Sequence, residues 1–318
     1  MAYQCTVIGD ITLDRFLLLS NMDILPSDIN PGNFVVNLEI GHKIPVSEMY
    51  EYIGGNAYNV TYGLSLLGTD TALVSSVGSD DISQYVLEAL REANLNTEHI
   101  VSSEKSGINQ STILSVNGER LVFSYHKDKD YNNLSLPETE WTYIASLSKG
   151  SEDFFKQLMN NSFNKLVFNP GSYMLKHNLD LIHQILPKTE ILFINKEETQ
   201  YIINSTDENI PNLIKGLHNM GVKIIGLTDG NNGAYISDKN TILYLPARVV
   251  EKRETTGAGD AFAAGFLANF IQSQDISEAL KWGIIQSSSV LREIGSVNGL
   301  VTIEEILEIA KTLEPQSI

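Results

Sequence analysis

Short apolar segments alternate with helical patterns over most of this sequence, and this alternation restricts the fold more than any other feature does. The apolar segments that look like strands are residues 6–8, 71–74, 165–168, 191–194 and 223–227. Segments that are apolar throughout, rather than at every second residue, are typical of strands buried on both faces of a parallel sheet. Strands that alternate with helices predict such a sheet with helices packed against it. The sequence therefore predicts an α/β fold with a mostly parallel central sheet.

Two helices can be located by the residues that would cap them. Asp80 and Asp81 precede four apolar residues that share one face of a helix, namely Val86, Leu87, Leu90 and Ala93. An aspartate in this place can accept a hydrogen bond from a free backbone N–H of the first turn. Thr302 and Glu305 form a capping-box pattern ahead of another apolar run. Both patterns fit helices that cover the predicted sheet.

Two stretches do not follow the alternation and predict a second, smaller sheet. Residues 11–53 contain no clear helix, and residues 33–40 form an extended run. Residues 108–125 indicate a hairpin, because Asn117-Gly118 separates two apolar runs and Asn-Gly favours a tight β-turn. We therefore expect a single domain over residues 1–318, with one small sheet from about 11–53 and 108–125 projecting from it.

The charge balance limits the classes of partner. The chain of 318 residues has 22 Lys and Arg side chains against 39 Asp and Glu, a formal net charge of -17. Such a surface repels the phosphate backbone of a nucleic acid and an anionic membrane, so we expect neither as a partner. A single anionic nucleotide is not excluded, because a few backbone N–H groups can bind phosphate whatever the overall charge.

The N-terminal segment and the cysteine content indicate a cytoplasmic protein. Cys5 is the only cysteine, so no disulfide can form within the chain, and its apolar neighbours predict a buried strand position. The first residues lack the basic segment of a secretory signal, and Asp10 and Asp14 interrupt their apolar run. No apolar run approaches the roughly 18 residues that a membrane-spanning helix needs.

A glycine-rich motif near the C-terminus carries the strongest chemical signal. Phenylalanines recur every four residues, starting two residues after Asp260, which predicts a helix. Gly257, Ala258 and Gly259 then lie at its N-terminus, where bare backbone N–H groups meet the positive end of the helix dipole. These groups could stabilise the charge on a phosphoryl group during transfer. Asp260, in the first turn, could accept the proton of an attacking hydroxyl.

Other interpretations of this motif can be weighed on the residues alone. A first-turn aspartate after a glycine-rich turn can be purely structural, as a partner of the helix dipole. A dinucleotide site would require a third glycine and a position after the first strand, and the motif has neither. The Gly-x-x-x-x-Gly-Lys-Ser/Thr loop and the protein-kinase motifs His-Arg-Asp and Asp-Phe-Gly do not occur. The structural and the phosphotransferase interpretations both stay open.

The motif resembles the signature of the ribokinase family of carbohydrate kinases, also called the PfkB family, which reads Asp-Thr-x-Gly-Ala-Gly-Asp. The chain matches it at residues 254–260, with Glu254 in place of the first aspartate. Residues 54–60, 195–198 and 228–233 are similar to further elements of that family and occur in the family's order. Four matching segments spread over most of the chain make a chance resemblance a poor explanation.

The resemblance implies a fold and a catalytic centre. The fold would be a three-layer α/β/α domain, in which the small sheet acts as a lid. Asp260 would be the base that takes a proton from the substrate hydroxyl. The N–H groups of Gly257, Ala258 and Gly259 would form the anion hole for the γ-phosphate of ATP.

The resemblance also assigns residues to the nucleotide and to the substrate. Those implied for ATP and its Mg²⁺ are Asn195, Glu198, Thr228, Gly230 and Gly233. Glu198 would hold Mg²⁺ through water, as suits a hard cation with few protein ligands. Those implied for the substrate are Asp14, Gly54, Gly55, Asn56 and Asn59. Taken by themselves, Asn195 and Glu198 could be a helix cap and a first-turn acid, and Gly54-Gly55 could be a turn.

A monovalent-cation site such as one for K⁺ is implied beside the anion hole. Its ligands would be Glu254, Thr256 and backbone carbonyls near Val290 and Gly295. Glu254 is one methylene group longer than the family's aspartate, which would shift this site or remove it. K⁺ activation is therefore open, whereas the base and the anion hole match the family.

The activity implied is that of a carbohydrate kinase, which transfers the γ-phosphoryl group of ATP to a hydroxymethyl group of a small sugar. Nucleoside kinases share these motifs, so an adenosine- or cytidine-like substrate is an alternative. Asn56 stands where ribokinases usually carry lysine, which argues against ribose itself. A non-catalytic sugar- or nucleotide-binding protein and an NAD-dependent oxidoreductase are more distant alternatives. Lid sheets in this family often pair between subunits, so we expect a homodimer through the lid.

Three basic residues follow the predicted hairpin. His126, Lys127 and Lys129 could touch the substrate or a phosphate group. The simpler interpretation is a solvated basic patch, because long basic side chains are mostly exposed in folded proteins.

Overall fold

Strands and helices alternate along most of the chain, of which the computed structural model describes residues 3–20, 22–27, 34–117, 119–131 and 133–318. The strands of these residues, in chain order, are β1 Cys5–Ile8, β2 Thr12–Leu18, β3 Ile24–Pro26, β4 Phe34–Val36, β5 Glu48–Gly54, β6 Thr71–Val77, β7 Ile100–Ser102, β8 Asn109–Val116, β9 Glu119–Tyr125, β10 Trp141–Ile144, β11 Lys165–Phe168, β12 Ile191–Asn195, β13 Ile224–Thr228, β14 Ala234–Ser237, β15 Ile242–Leu245 and β16 Gln316–Ser317. The α-helices are α1 Asn56–Leu66, α2 Asp81–Glu92, α3 Glu152–Asn160, α4 Ser172–His177, α5 Leu179–Ile185, α6 Lys196–Ile202, α7 Ile210–Asn219, α8 Ala258–Ser273, α9 Ile276–Val290 and α10 Ile303–Ala310.

A ten-stranded sheet forms the centre of the described chain, in the order β16-β15-β14-β13-β12-β11-β10-β1-β6-β7. Neighbouring strands from β13 to β7 are parallel, whereas β14, β15 and β16 are added antiparallel at one edge. The strand order reverses at β1, which lies between β6 and β10. In sheets of this kind the crevice at the carboxyl ends of the strands, next to such a reversal, is the usual place for a ligand.

Side chains that alternate along the central strands pack into two separate apolar layers. Ile191 and Phe193 of β12 pack in one layer with residues of α1, α2, α8, α9 and α10. Leu192 and Ile194 pack in the other layer with residues of α3 to α7. Both faces of the sheet are therefore covered, which explains why its strands are apolar at successive positions. This is the three-layer α/β/α fold that the family resemblance implies.

The elements predicted from the sequence are present with small shifts of boundary. The five predicted strand segments are β1, β6, β11, β12 and β13. Asp80 caps α2 by accepting a hydrogen bond from the Ser83 N–H at 2.9 Å. Thr302 and Glu305 form the predicted capping box at the start of α10. Local sequence signals thus locate much of the main domain.

Among the described residues, none of the helices combines the length and the apolar character needed to cross a membrane. The longest of them, α8, has 16 residues, whereas a membrane-spanning helix needs about 20.

A four-stranded sheet in the order β5-β2-β8-β9, hereafter the small sheet, packs on the main domain. Phe16 and Ile113 anchor it, because both are buried against Ile294 of the main domain. Strands β8 and β9 form the predicted hairpin, and Asn117 in its turn has a φ of 51°. Gly118, the second residue predicted for this turn, lies outside the described residues.

The prediction of one small sheet from all of residues 11–53 is wrong in part. Strands β3 and β4 pair with each other in a separate two-stranded ribbon. Of the extended run at 33–40, only Phe34–Val36 is a strand, and residue 33 lies outside the described residues. Both edges of β2 are occupied, one by β5 and the other by β8. Strands β3 and β4 therefore cannot pair with β2, and they pair with each other instead.

The register of the small sheet sorts its side chains onto two faces, because successive residues of a strand point to opposite sides. The inner face, which shares the side of the buried Phe16, carries Asp14, Ser111, Ser124 and Arg120. The outer face carries the exposed apolar side chains of Met49, Leu121, Phe123 and Tyr125. The polar inner face thus lies toward the main domain, and an apolar surface points away from it.

Candidate active site

A cavity of about 750 Å³ opens between the carboxyl ends of the central strands and the inner face of the small sheet. The predicted site residues that line it are Asp14, Gly55, Asn56, Asn59, Asn195, Glu198, Thr228, Gly230, Thr256, Gly257, Ala258, Gly259 and Asp260. Gly233 lines an adjoining cavity instead. Gly54, Glu254, Val290 and Gly295 line neither of these two cavities. Residues from five distant segments of the sequence therefore meet at one place.

Asp260 lies in the wall of this cavity, where two amides hold its carboxylate. Asn56 Nδ2 donates to Oδ1 and Asn59 Nδ2 donates to Oδ2, each at 2.7 Å. Asn59 is oriented in turn by the hydroxyl of Ser296, which donates to its Oδ1 at 2.6 Å. Burial raises the pKa of Asp260, while the bonds from Asn59 and Asn56 and the charge of Arg120 lower it. A carboxylate in this setting is a proton acceptor stronger than an ordinary exposed aspartate.

Helix α8 begins beside this carboxylate without a side chain to cap it. Gly257 precedes it with a φ of 82°, and a Cβ there would lie 2.6 Å from the carbonyl oxygen of Ser296. Only glycine fits that position. At Gly259 the Cβ position is open, with no described atom within 4 Å apart from its chain neighbours and its own helix backbone. The start of α8 is therefore a cluster of uncapped amides that suits a phosphoryl anion.

Asp14 faces the cavity from the inner face of the small sheet. Its Oδ1 accepts a hydrogen bond from Thr12 Oγ1 at 2.8 Å. Burial raises the pKa of Asp14, and hydrogen bonds from Thr12 and Ser111 lower it. Gly54 lies behind this carboxylate, since a Cβ there would overlap Asp14 Oδ2. Gly54 thus makes room for Asp14, whereas Gly55 reaches the cavity itself.

Asn195 and Glu198 cap helix α6 and also line the cavity. Asn195 Oδ1 accepts from the Glu198 N–H at 2.8 Å, and Glu198 Oε2 accepts from the Asn195 N–H at 3.1 Å. This capping box is the structural interpretation that the sequence left open. Their position in the cavity also leaves room for a functional role, because both side chains face the space next to Thr228. Burial raises the pKa of Glu198, so its charged form would gain from a nearby cation.

The loop after β13 separates the main cavity from an adjoining one of about 430 Å³. Gly230 lines both cavities and has a φ of 51°. Gly233 has a φ of 109°, and a Cβ there would overlap the carbonyl oxygen of Leu245. The adjoining cavity is lined by apolar side chains that include Val249, Ile284 and Leu291. Its size and its walls suit the flat, apolar faces of a nucleotide base.

Glu254 is buried beneath the start of α8, with 1% of its surface exposed. Its Oε2 accepts a hydrogen bond from the Thr256 N–H at 2.7 Å. The guanidinium of Arg120 approaches from the small sheet, where Nη1 donates to Thr256 Oγ1 at 2.6 Å and lies 3.7 Å from Glu254 Oε1. Val290 ends α9, and Gly295 follows with a φ of 107°. Both are buried away from the cavity.

Several polar residues of the cavity were not predicted from the sequence. They include Asp10, Asn109, Ser111, Arg120, Ser124, Ser146 and Asn169. Asp10, Ser146 and Asn169 follow the ends of β1, β10 and β11 by one or two residues. Polar residues directly after predicted strands were the signal that would have found Asp10 and Asn169. Ser146 lacked this signal, because β10 was not among the predicted strands. Arg120 and Ser124 have no such signal, because their position depends on how the small sheet docks.

The interpretation of the three basic residues after the hairpin as one solvated patch is wrong for Lys129. Its side chain is fully buried, and Nζ donates to the carbonyl of Ser76 at 2.9 Å and lies 3.8 Å from Asp10 Oδ1. Burial lowers the pKa of Lys129, and the charge of Asp10 raises it. Lys127 is held in an ion pair, and only His126 is exposed, at the wall of the cavity. Partners from distant strands make the burial of this lysine tolerable.

Comparison with known families identifies this arrangement. The profile of the pfkB family carbohydrate kinase matches residues 32–303, which is most of the chain. This chain belongs to the pfkB family of carbohydrate kinases. The kinase is 26% identical to the nucleoside kinase of Methanocaldococcus jannaschii over 271 residues, covering 84% of this chain and 88% of that relative. The family expected from the four sequence motifs is thereby confirmed.

Solved structures show the same fold as this kinase. The M. jannaschii nucleoside kinase superposes with a TM-score of 0.78 at 22% identity, over 98% of this chain and 99% of that one. Arabidopsis thaliana ribokinase, complexed with ribose and ATP, gives 0.77 at 15% identity, over 98% and 99%. Burkholderia thailandensis nucleoside kinase, in complex with inosine, gives 0.76 at 18% identity, over 97% and 98%. The predicted ribokinase-like fold class is confirmed.

Proposed function

We propose that this kinase transfers the γ-phosphoryl group of ATP to a hydroxymethyl group of a small sugar, with Asp260 as the base. One observation carries the proposal. The carboxylate of Asp260, held by Asn56 and Asn59, lies in the same cavity as the uncapped amides that follow Gly257. Phosphoryl transfer needs positioning and charge stabilisation more than covalent chemistry, and these two groups supply both.

The transfer step follows from that arrangement. The substrate hydroxyl oxygen forms a bond to the γ-phosphorus while its proton passes to a carboxylate oxygen of Asp260. The bond from phosphorus to the β–γ bridging oxygen breaks, and ADP leaves with that electron pair. The N–H groups of Gly257, Ala258 and Gly259 stabilise the negative charge on the transferred group. The raised pKa of Asp260 increases its affinity for the proton at the moment of transfer.

We assign the nucleotide to the two adjoining cavities. Its base would occupy the adjoining cavity beside Gly230 and Gly233, and its phosphates would pass Thr228 toward the start of α8. Asn195 and Glu198 fit a role in holding Mg²⁺ through water, because burial disfavours the charge of Glu198 until a cation is near. Among the described residues no group of three acidic, His or Cys side chains could hold a metal by itself. When bound, Mg²⁺ neutralises phosphate charge.

The residues implied for K⁺ fit that ion less well. Oε2 of Glu254 is bonded to the Thr256 N–H, and the guanidinium of Arg120 lies 3.7 Å from Oε1. Two positive charges would therefore compete for one carboxylate. Val290 and Gly295 are buried nearby without facing the cavity. We derive no step through K⁺.

In this proposal the chain is a single kinase domain over residues 1–318, and the small sheet is its lid. The lid segments expected at 11–53 and 108–125 contribute β2, β5, β8 and β9 to it. The polar inner face, with Asp14 and Arg120, then covers the cavity. A closed lid would exclude water, so that ATP is not hydrolysed in place of the sugar.

A sugar is the favoured acceptor because hydrogen-bonding side chains surround Asp260. Those that could bind sugar hydroxyls are Asp14, Asn56, Asn59, Asn109, Ser111 and Asn169. A nucleoside is the second candidate. His126 and Tyr173 line the same cavity with ring centroids 6.4 Å apart, and such rings could stack on a base. The nucleoside kinases among the relatives support this alternative.

The outer face of the small sheet supports the expected homodimer. Met49, Leu121, Phe123 and Tyr125 form an exposed apolar surface on this face. Exposed apolar surfaces of this kind commonly mark an interface between proteins. We therefore propose that two lids pair through their outer faces. The cytoplasm is the compartment we propose, because it supplies ATP and contains the phosphorylated products of such kinases.

An ADP-release assay over a panel of acceptors tests the proposed function. Ribose, fructose, 2-keto-3-deoxygluconate, adenosine and cytidine would each be incubated with ATP–Mg²⁺ and the protein. We expect release that depends on one acceptor and disappears in Asp260→Asn. Binding of ATP–Mg²⁺ without release for any acceptor would favour the non-catalytic binding protein. A thermal shift with NAD(H) and none with ATP–Mg²⁺ would favour the oxidoreductase.

A further inference from the structure

One oxygen of a buried carboxylate beneath the anion hole accepts no hydrogen bond from the described part of the chain. Glu254 is 1% exposed, and its Oε1 has no hydrogen-bond partner among the described residues. An ionised carboxylate in such a place is destabilised unless a positive charge lies nearby. Thr256, which donates its N–H to the other oxygen, directly precedes Gly257. A positive group that stabilises the Glu254 carboxylate therefore also holds the turn at Thr256, from which the anion hole begins.

Arg120 brings a positive charge to this carboxylate from the small sheet. It lies on the inner face of β9, opposite Ser115. Its Nη1 donates to Thr256 Oγ1 at 2.6 Å and lies 3.7 Å from Glu254 Oε1. Arginine keeps its charge at any physiological pH and offers several donors in a fixed plane. Its guanidinium can therefore contact both residues of the turn at once.

The location of Arg120 distinguishes it from an ordinary surface ion pair. The other arginine of the small sheet, Arg15, pairs with Glu51 at 2.6 Å on the outer face, where the side chains are 51% and 36% exposed. Exposed pairs of that kind contribute little. The carboxylate beside Arg120 is almost fully buried, and Arg120 lines the same cavity as Asp260. Removal of its charge would leave a buried anion next to the site of transfer.

We propose that Arg120 is a positioning residue for phosphoryl transfer, which takes the place of a monovalent cation beside the anion hole. This inference rests on the proposed kinase function. Through Glu254 and Thr256, Arg120 holds the turn before Gly257 in the conformation that presents the amides of α8. Because Arg120 belongs to the small sheet, the anion hole is ordered when that sheet covers the cavity. Turnover is then independent of K⁺.

The test compares Arg120→Ala and Arg120→Lys with wild type and with Arg15→Ala as the matched lid-arginine control. Each protein would be assayed in KCl, in NaCl and in N-methylglucamine chloride. Thermal unfolding would be recorded in the same three salts, with far-UV circular dichroism as the check of folding. Gel filtration would confirm that all four proteins have the same oligomeric state. Low millimolar guanidinium would be added to Arg120→Ala as a chemical replacement for the lost side chain.

We expect wild type and Arg15→Ala to turn over equally in the three salts. Arg120→Ala should lose about 100-fold in kcat, the lower end of the scale for loss of one oxyanion-hole donor. Its KM for the acceptor should change little, because Arg120 acts on the anion hole rather than on the acceptor. Guanidinium should restore part of the rate, and K⁺ should restore part of it as the vacated carboxylate accepts the ion. The kcat of Arg120→Lys should lie between those of wild type and Arg120→Ala.

Two results would overturn the inference. One is a wild type that needs K⁺ for turnover, and the other is an Arg120→Ala variant that keeps the wild-type kcat in all three salts. The unfolding experiment does not depend on the acceptor, so it decides the matter even if no acceptor releases ADP. K⁺ should raise the melting temperature of Arg120→Ala and not that of wild type. An equal rise in both proteins would contradict the inference, whereas absent turnover alone contradicts the proposed function.

Discussion

Asn59 donates a hydrogen bond to the carboxylate of Asp260 at 2.7 Å, although the two residues lie 201 positions apart in the chain. Asn59 belongs to α1 and Asp260 to the first turn of α8. The two helices approach closely at Gly63, where a Cβ would lie 2.7 Å from the Cβ of Ala264. Close packing of this kind sets the distance between the helices and hence the position of the amide. The environment of the proposed base is thus a product of tertiary packing.

The first prediction concerns the pH dependence of Asn59→Ala. A hydrogen bond to the charged carboxylate lowers the pKa of Asp260, so its removal raises that pKa. Turnover requires the ionised form, and the acid limb of kcat/KM should therefore move to higher pH. Ser296→Ala removes only the hydroxyl that orients the Asn59 amide. It should therefore shift the acid limb less, in the same direction. An acid limb at the wild-type pH in both variants would contradict this account.

The second prediction is that Asp260→Asn folds and loses turnover. The amide keeps the size of the carboxylate but cannot take up the proton, and positioned proton acceptors contribute about 10²–10⁴-fold to rate. The melting temperature should stay close to that of wild type, because the variant also removes a charge that burial disfavours. Steady-state ADP release and thermal unfolding would measure the two effects. A near-normal rate would remove Asp260 from the mechanism.

The third prediction separates the two glycines of the anion hole. Gly257→Ala should destabilise the protein by about 1–3 kcal/mol, the cost of a side chain in a strained conformation, because its Cβ would meet Ser296. Gly259→Ala should raise helix stability by up to about 1 kcal/mol, since no atom of another residue contacts that position. Its methyl group would nevertheless enter the space proposed for the phosphoryl group. Urea unfolding should therefore find Gly257→Ala less stable than wild type and Gly259→Ala more stable. Kinase assays should find comparable losses of activity in the two variants.

Local signals predicted much of the fold because they depend on neighbouring residues. Five strands of the central sheet and the cap of α2 at Asp80 follow from short patterns, and the structure has them. Strand β10, between β1 and β11, was not predicted. The separate ribbon of β3 and β4 could not be foreseen, because an extended run does not show which strand it will pair with. The burial of Lys129 depends likewise on distant partners, Ser76 of β6 and Asp10 between β1 and β2. Sequence patterns alone do not contain such long-range pairings.

The residues of the candidate site also fall into those that local sequence signals predict and those that depend on tertiary packing. Gly257 and Asp260 were predictable, because their roles follow from one helix N-terminus and its first turn. The position of Arg120 was not, because an edge strand with alternating side chains does not tell which face will cover a cleft. That choice is made by Phe16 and Ile113, which dock on Ile294. The family resemblance did not supply it either, since the matched motifs contain no residue of β9.

The fourth prediction concerns the stability of α2 and its junction with the chain after β9. Bonds from Lys127 and Ser83 lower the pKa of Asp80 to about 2. A group with a depressed pKa stabilises the fold above its unfolded pKa, and this contribution disappears as the pH falls from about 4 toward the folded value. Asp80→Ala should cost about 1 kcal/mol at neutral pH through loss of the cap. Asp80→Asn keeps a capping acceptor, so it should cost less, and its difference from wild type should vanish in acid.

The last prediction tests the proposed pairing of two lids. Phe123 is 57% exposed on the outer face of the small sheet, next to Leu121 and Tyr125 on the same strand. Phe123→Glu would place a charge within an interface that buries this face, and an unpaired charge in such a place is strongly unfavourable. Gel filtration with light scattering should therefore find wild type as a dimer and Phe123→Glu as a monomer. Leu307→Glu, at a 52% exposed position of α10, is the matched control and should stay dimeric. A monomeric wild type, or an unchanged dimer in Phe123→Glu, would contradict pairing through this face, because the substitution leaves no way to bury the outer face without also burying the new carboxylate.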